Sequence, residues 1–296
     1  MAAGDNPLEP VKADRLDCQA SRYFCITLLC SLAIGRGCFA ADASTTVPIQ
    51  IRNNFPIIIV KIDDVDVPLA FDSGDRTAVI LSQRVLDRVK HLPMDEVSRS
   101  MDVKGNLIQS ETFKLPLLLI GGARFTDVVG HSDVHDPSYP DNETVDHEGR
   151  FGTSLLKSYK VVLDYAHHKM TLISTESAGS KATECRGAIV PFLPDWNGDP
   201  VTKATTEFGQ LTAVWDTGAP VSILRKAGGQ DIGGSVLTDA VTAKHFRLGG
   251  ADFGPLRLVV ANYAEPAGTD MFVGYNFFAN HIVCIDFPGH RFLIRR

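Results

Sequence analysis

The sequence predicts an all-β protein built from two similar lobes that are related by a pseudo-twofold axis. Three observations support this prediction: short β-branched runs separated by turn residues, four landmarks that occur twice in the same order, and little helical periodicity. The chain has 296 residues, 44% of them apolar, so it can bury a large core. Its 29 basic and 35 acidic side chains give a net charge of −6 without a basic stripe, which argues against a nucleic-acid partner.

Residues 1–40 have the features of an export leader. The run from Tyr23 to Ile34 is apolar and uncharged, and it is about half as long as the roughly 20 residues that span a bilayer. Small residues near Ala40 suit cleavage by a signal peptidase, so we expect a periplasmic or secreted protein. Because four acidic residues precede the apolar run, two alternatives stay open: a membrane anchor retained through residues 23–34, and a start codon assigned too early.

Cysteine usage does not indicate a disulfide framework. Four of the six cysteines lie within residues 1–40, so a cleaved chain would keep only Cys185 and Cys284. In an exported protein these two thiols could form one bridge, or both could stay reduced in the core. The sequence leaves both alternatives open.

Each half of the remaining chain brings a hairpin strand to an acidic loop. In the first half, two β-branched runs flank turn residues 63–66 and lead to Asp72-Ser73-Gly74. In the second half, two runs flank turn residues 207–209 and lead to Asp216-Thr217-Gly218. We therefore predict an N-terminal lobe over residues 41–180 and a C-terminal lobe over residues 181–296.

Further landmarks follow both acidic loops in the same order. The first is an apolar strand, at 77–81 and 220–224, and the second is a Gly-Gly-Ala hairpin, at 121–123 and 249–251. The third is an apolar-Gly step at Gly152 and Gly274. The last is a closing hairpin with an aspartate before its turn, Asp164 in the first half and Asp286 in the second. Gly152 follows Asp72 by 80 residues, whereas Gly274 follows Asp216 by 58. The first half thus carries 22 extra residues, which we assign to a solvated loop within 131–150.

One segment has helical periodicity. Val85, Val89 and Leu92 would share one face of a helix over residues 82–92. Asp164 and Asp286, which precede the turns of the closing hairpins, are predicted to be structural residues rather than catalytic groups.

Two acidic loops, one from each lobe, indicate a shared chemical site. Pseudo-twofold packing would bring Asp72 and Asp216 so close that both could not be ionised at once, and they would share a proton. The ionised carboxylate could then act as general base on a water, while its protonated partner hydrogen-bonds a carbonyl. Glycines allow close backbone approach and hydroxyls can bond across the junction, so the predicted supporting residues are Ser73, Gly74, Thr217 and Gly218.

With these motifs the sequence resembles the aspartic proteases over residues 47–296, and within them the retropepsin-like branch and its single-chain bacterial relatives. The resemblance implies that Asp72 and Asp216 are the catalytic pair and that Ser73 and Thr217 form a hydroxyl lock beneath them. It implies no metal and no cofactor. It also implies hairpin flaps over the substrate, which by position would surround Gly105 in the first lobe and Gly233-Gly234 in the second.

Two residues depart from the pattern of that family. Asp75 stands where Ala or Ser is usual, and a third carboxylate would raise the proton affinity of the acid pair unless a cation compensates. The sequence favours an Asp75 that turns outward to an ion pair with Arg76; the alternative is that the first lobe has drifted from catalysis. Arg150 stands where an apolar residue usually precedes the Phe-Gly step.

The predicted function is an aspartic endopeptidase that acts as a monomer on protein or peptide substrates. One alternative is an inactive module of the same fold that binds extended peptides in the cleft between the lobes. A third hypothesis is a metal-dependent hydrolase that uses the acidic and histidine residues of 131–148. Pro137 and Pro140 argue against the helix that would place His131 and His135 on one metal.

Overall fold

The described part of the chain forms three β-sheets, one in each lobe and one to which both lobes contribute. The computed structural model describes residues 44–101, 107–133, 148–175, 185–194, 199–226, 239–261 and 268–296. The β-branched runs form strands such as Phe55–Ile62 and Pro200–Thr206, along which buried and more exposed side chains largely alternate.

The first half contains eleven strands and two four-residue helices within the described residues. They are β1 (Ser44–Pro48), β2 (Gln50–Arg52), β3 (Phe55–Ile62), β4 (Val65–Phe71), β5 (Val79–Leu81), α1 (Gln83–Leu86), β6 (Leu92–Met101), β7 (Leu107–Ile120), β8 (Ala123–Ser132), β9 (Gly149–Phe151), α2 (Thr153–Leu156), β10 (Tyr159–Asp164) and β11 (Lys169–Ser174).

The second half contains twelve strands and one four-residue helix in the part of the chain that the structure describes. They are β12 (Ala188–Pro191), β13 (Leu193–Pro194), β14 (Pro200–Thr206), β15 (Gly209–Trp215), β16 (Ile223–Arg225), β17 (Asp239–Ala243), β18 (Arg247–Leu248), β19 (Ala251–Asp252), β20 (Leu256–Ala261), β21 (Met271–Val273), α3 (Tyr275–Phe278), β22 (Ile282–Asp286) and β23 (Arg291–Arg295). None of the described helices is long and apolar enough to cross a membrane.

The two lobe sheets repeat one topology. The N-terminal sheet has the order β2-β3-β4-β9-β5-β8-β7-β6, and the C-terminal sheet has the order β17-β20-β16-β21-β15-β14-β18-β19. Strand β4 pairs in parallel with β9 as β15 does with β21, and β5 parallels β8 as β16 parallels β20. The Gly-Gly hairpins also recur, with φ of 56° at Gly121 and 54° at Gly249. The predicted all-β fold of two pseudo-twofold-related lobes is confirmed.

The third sheet joins the lobes in the order β1-β11-β10-β22-β23-β12. Its two central strands, β10 and β22, occupy equivalent positions in the two halves and pair antiparallel, with Val161 opposite Ile285. Above this sheet the buried side chains of both lobes form one continuous core. Trp215 is fully buried there, stacked on Phe292 at 4.1 Å, and its indole N–H donates to Thr202 Oγ1 at 3.0 Å.

The helix predicted over residues 82–92 is shorter than expected. Helix α1 covers Gln83–Leu86; Val85 and Val89 are buried as predicted, but Leu92 is 58% exposed and begins β6. Pairing of β6 with the long strand β7 explains this difference, because ladder hydrogen bonds replace the last helical turn. Strand β8 continues to Ser132, and residues 134–147, which make up most of the predicted insertion, lie outside the described residues.

A disulfide joins Cys185 to Cys284, two residues separated by 99 positions. Cys284 lies on β22 in the interlobe sheet, and Cys185 precedes β12. Of the two alternatives that the sequence left open, the structure contains the bridge. The bond fixes the start of the second half to the central strand of the shared sheet.

Candidate active site

Each acidic loop begins where a central strand of its lobe ends. The N–H of Asp72, directly after β4, donates to the Phe151 carbonyl at 3.0 Å, and the N–H of Asp216, directly after β15, donates to the Val273 carbonyl at 3.0 Å. The two loops therefore start from equivalent strand ends. Each loop then turns back, with the Asp75 N–H donating to the Asp72 carbonyl at 3.3 Å. The Ala219 N–H makes the equivalent bond to Asp216 at 3.2 Å.

The structure brings Asp72 and Asp216 together. Their carboxyl groups lie within hydrogen-bonding reach of each other, so a protonated carboxyl can donate to an ionised partner. Each Oδ1 also accepts a backbone N–H from its own loop: Gly74 donates to Asp72 at 2.9 Å, and Gly218 donates to Asp216 at 2.7 Å. Both aspartates keep partial exposure to solvent. The site thus places two neighbouring carboxyls where solvent reaches them.

The two glycines of the triplets permit this close approach. A Cβ on Gly218 would lie 2.6 Å from the Asp72 Cγ, and a Cβ on Gly74 would lie 2.8 Å from the Asp216 Cγ. Real Cβ atoms do not pack at such distances, so each loop needs glycine to make room for the carboxyl group of the other lobe.

A symmetric lock of hydroxyl groups holds the loops from below. Ser73 and Thr217 are buried, and each backbone N–H donates to the hydroxyl of the other residue, at 2.9 Å and 3.0 Å. Ser73 Oγ then donates to the Trp215 carbonyl at 2.8 Å, and Thr217 Oγ1 donates to the Phe71 carbonyl at 2.7 Å. Four hydrogen bonds therefore cross between the lobes directly under the acid pair.

Burial and neighbouring charges raise the pKa values of both carboxyls, so the acid pair tends to retain a proton. Burial raises the pKa of Asp216 well above its ordinary value, and the nearby charge of Asp72 and the bond between the two carboxyls raise it further. Burial also raises the pKa of Asp72, together with the charge of Asp75, although Arg150 acts in the opposite direction. Because the two carboxyls are coupled, these pKa values belong to the pair.

Asp75 pairs with Arg150, and not with Arg76 as the sequence favoured. Arg150 Nε donates to Asp75 Oδ2 at 2.7 Å, and Asp75 does not turn outward, because its side chain is only 14% exposed. The strand register explains the partner: Arg150 lies on β9 opposite Ala70 of β4, two residues before Asp72. The two departures from the family pattern are thus partners of each other.

Burial tends to raise the pKa of Asp75, but its partners outweigh this effect. Arg150 and hydrogen bonds from Thr77 lower the pKa of Asp75 below its usual value. The same carboxylate and the charge of Asp72 raise the pKa of Arg150, against a lowering effect of burial. The ion pair therefore stays charged beside the acid pair.

Tyr165 is a neighbour of the acid pair that the sequence did not reveal. It is buried, stacks on Phe278 at 5.8 Å and lies 5.9 Å from the Tyr275 ring. Burial, and then the charges of Tyr275, Asp216 and Asp72, raise its pKa well above the usual value. An aromatic residue after a hairpin aspartate resembles any core residue, so no local signal marks it.

The predicted flap glycines Gly105, Gly233 and Gly234 lie outside the described residues. In the first lobe, β6 and β7 pair as far as Met101 opposite Leu107, and Gly105 lies between these two residues in the sequence. Within the described ranges, no group of three His, Cys, Asp or Glu side chains could hold a metal ion.

Asp164 and Asp286 end the first strands of the closing hairpins and have structural contacts at the turns. Asp164 accepts the His167 N–H at 3.2 Å, and Asp286 accepts the Gly289 N–H at 3.1 Å and Arg291 Nε at 2.9 Å. Both are buried on the interlobe sheet, where these bonds fix the hairpin turns.

A cavity of about 790 Å³ lies on the flank of the N-terminal lobe. Its lining includes Arg76, Phe125, Lys157 and Tyr159 but neither Asp72 nor Asp216. The acid pair is therefore separate from this cavity.

Comparison with known proteins identifies the fold. No protein-family profile and no curated protein sequence matches the chain. Among solved structures, an aspartic proteinase from Irpex lacteus aligns with a TM-score of 0.57 and 14% identity, over 85% of this chain and 97% of that chain. Basic 7S globulin from soybean aligns with a TM-score of 0.57 and 10% identity, over 84% and 94%. At these identities the likeness shows the acid-protease fold alone.

Proposed function

We propose that the protein is an aspartic endopeptidase in which each lobe of one chain supplies one catalytic aspartate. The observation that carries the proposal is the hydrogen-bonded carboxyl pair of Asp72 and Asp216, held by equivalent contacts from both lobes. Its substrates would be proteins or peptides, bound by a monomer in the cleft between the lobes.

The geometry supports a general acid–base mechanism. The ionised carboxyl removes a proton from a bound water, whose oxygen attacks the carbonyl carbon of the peptide bond, while the protonated carboxyl hydrogen-bonds the carbonyl oxygen. When the C–N bond breaks, the pair delivers a proton to the leaving amine and returns to its single-proton state. The backbone N–H groups of Gly74 and Gly218 keep the carboxyls oriented throughout.

Export is part of the proposal. The leader-like sequence of residues 1–40 suggests it, and the Cys185–Cys284 bridge supports it, because disulfides persist mainly in oxidising compartments. Assignment to the retropepsin-like branch also stays a prediction, since the structural likeness supports only the broader acid-protease fold.

The test replaces each acid by its amide. Asp72→Asn and Asp216→Asn should each lower the cleavage of denatured protein by about a thousandfold or more, because neither variant retains both acid–base partners. Both variants should fold: burial raises the pKa of each carboxyl, so ionising it disfavours the folded state as pH rises, and an amide removes that effect. Activity is measured across a pH scan, with circular dichroism to check the fold.

Asp66→Asn serves as the matched control, because this aspartate lies on an exposed hairpin and its side chain is 66% exposed. It should retain full activity, and a statine-type inhibitor should block the unmodified protein. Full activity in Asp72→Asn or Asp216→Asn would exclude the mechanism. Peptide binding without hydrolysis would instead identify the inactive module, and loss of activity with a chelator would identify a metal-dependent hydrolase.

A further inference from the structure

The ion pair of Asp75 and Arg150 is attached to the same loop as Asp72, yet the proposed reaction assigns it no step. Asp75 follows Asp72 by three residues, and Arg150 immediately precedes Phe151, whose carbonyl accepts the Asp72 N–H. The Thr153 N–H also donates to the Asp75 carbonyl at 2.8 Å. Both charges therefore keep a fixed position relative to the acid pair.

The carboxylate of Asp75 cannot swing away from the site. Its Oδ1 accepts the Thr77 N–H at 2.8 Å and Thr77 Oγ1 at 2.7 Å, and its Oδ2 accepts Arg150 Nε at 2.7 Å. With only 14% of its side chain exposed, solvent screens its charge poorly. A fixed negative charge thus lies on the same loop as Asp72, one of the two carboxyls that would share a single proton.

The charges of Asp75 and Arg150 act on Asp72 in opposite directions. Asp75 raises the pKa of Asp72, whereas Arg150 lowers it. If either member were missing, the other would impose its full effect on the acid pair.

Among the described groups with the largest effects on the pKa values of Asp72 and Asp75, Arg150 is the cation. Asp199 raises the pKa of Asp216, and burial raises the pKa of Tyr165 well above its usual value, which favours the neutral phenol. Asp133 faces Arg150, and burial lowers the pKa of His131, which favours its neutral form. Among these neighbours, Arg150 is the permanent cation.

We propose that Asp75 and Arg150 act as one charge-compensating unit that keeps Asp72 and Asp216 able to hold a single proton between them. Its consequence for catalysis rests on the proposed function. Arg150 is a positioning residue in this scheme, because it acts through its charge and through Asp75. The presence of Asp75 is then compatible with activity because Arg150 accompanies it.

The experiment compares the pH dependence of kcat/KM for the unmodified protein, Asp75→Asn, Arg150→Met and the double variant. Arg150→Met leaves the Asp75 charge uncompensated, so both limbs of the profile should move to higher pH by about one unit. Asp75→Asn leaves the cation uncompensated and should move both limbs to lower pH by a similar amount. The double variant, which removes both charges, should return to the unmodified profile.

Two controls separate charge from structure. Arg150→Lys keeps the charge and should keep the profile close to that of the unmodified protein. The exposed ion pair of Lys61 and Asp66, at 3.1 Å, provides the matched comparison, and neither Lys61→Met nor Asp66→Asn should shift the profile. A purely structural role would lower the rate in both single variants without opposite shifts, and that result would overturn the inference.

A readout independent of catalysis keeps the two proposals distinguishable. Carbon-13 NMR of aspartate-labelled protein reports the apparent pKa values of the pair, with Asp72→Asn and Asp216→Asn to assign the signals. If the protein cleaves nothing but these pKa values shift in opposite directions, the inference holds and the proposed function fails. If cleavage occurs but the double variant does not return to the unmodified pKa values, the inference fails. Should Arg150→Met not fold, Asp75→Asn and the double variant still decide the result.

Discussion

At the scale of single residues, the hydroxyl lock joins the two lobes through groups that water does not reach. Ser73 is 0% exposed and Thr217 is 1% exposed, and each hydroxyl both accepts a backbone N–H and donates to a carbonyl of the other lobe. Removal of either hydroxyl would leave a buried N–H and a buried carbonyl without their partners. Such groups carry the full desolvation penalty.

We therefore expect Thr217→Val and Ser73→Ala each to lower the free energy of unfolding by about 1–3 kcal/mol. Denaturant titration at constant pH measures the change. Thr217→Ser keeps the hydroxyl, so it should destabilise the protein less than Thr217→Val. Thr217→Val keeps the methyl group and removes the hydroxyl, whereas Thr217→Ser does the reverse. An equal or larger loss in Thr217→Ser would therefore contradict the argument that the hydrogen bonds dominate.

Local motifs were predictable at this scale, but distant partners were not. The triplets that contain Asp72 and Asp216 are contiguous in sequence, so their chemistry can be predicted from residue types alone. Arg150, by contrast, lies 75 residues after Asp75, and the contact depends on the register between β4 and β9. The sequence showed that both residues were unusual without showing that they meet.

At the scale of elements, two strand-to-loop turns position the acids, and the glycine of each turn sets how closely they approach. Gly218→Ala would place a Cβ 2.6 Å from both Cγ and Oδ2 of Asp72. We expect the carboxyls to separate and kcat/KM to fall by about a hundredfold, because small misplacements of catalytic groups have effects of this size. Peptide cleavage measured beside circular dichroism would show the loss of activity in a folded protein.

Gly122→Ala is the matched control for this substitution. A Cβ there would meet Thr45 Oγ1 at 3.5 Å, which is an ordinary contact, in a hairpin remote from the acid pair along the chain. It should keep its activity. Unchanged kcat/KM in Gly218→Ala would contradict the argument from close approach.

Strands were easier to predict than the helix. Paired glycines and β-branched runs specify the hairpins locally, and the structure contains hairpins at Gly121 and Gly249. The period that suggested a helix over 82–92 rests on three residues, and pairing of Leu92 with Lys114 outweighs it. A short amphipathic pattern is weak evidence where a strand partner is available.

At the scale of the whole molecule, the disulfide restrains the unfolded chain across a separation of 99 residues. Replacement of Cys185 and Cys284 together by alanine should lower the free energy of unfolding by about 2–5 kcal/mol, because a long loop is no longer closed in the unfolded state. Thermal and denaturant unfolding of the double variant measure this loss. The unmodified protein in a reducing agent should show the same loss, and unchanged stability in both samples would contradict the prediction.

The internal repeat allowed the two-lobed architecture to be predicted, because four landmarks in one order imply one topology used twice. The interlobe sheet was not predicted. The order of this sheet depends on which strand of one half pairs with which strand of the other. The sequence of either strand alone does not indicate that Val161 lies opposite Ile285.

That alignment has a consequence for either half in isolation. The neighbours β10 and β22 are counterparts, so each satisfies the backbone groups of a strand that resembles itself. A separated half would expose the unpaired backbone N–H and C=O groups of one apolar edge strand. The same edge strand of a second copy could pair with it. If the two halves were expressed as separate polypeptides, each would therefore tend to form a symmetric homodimer.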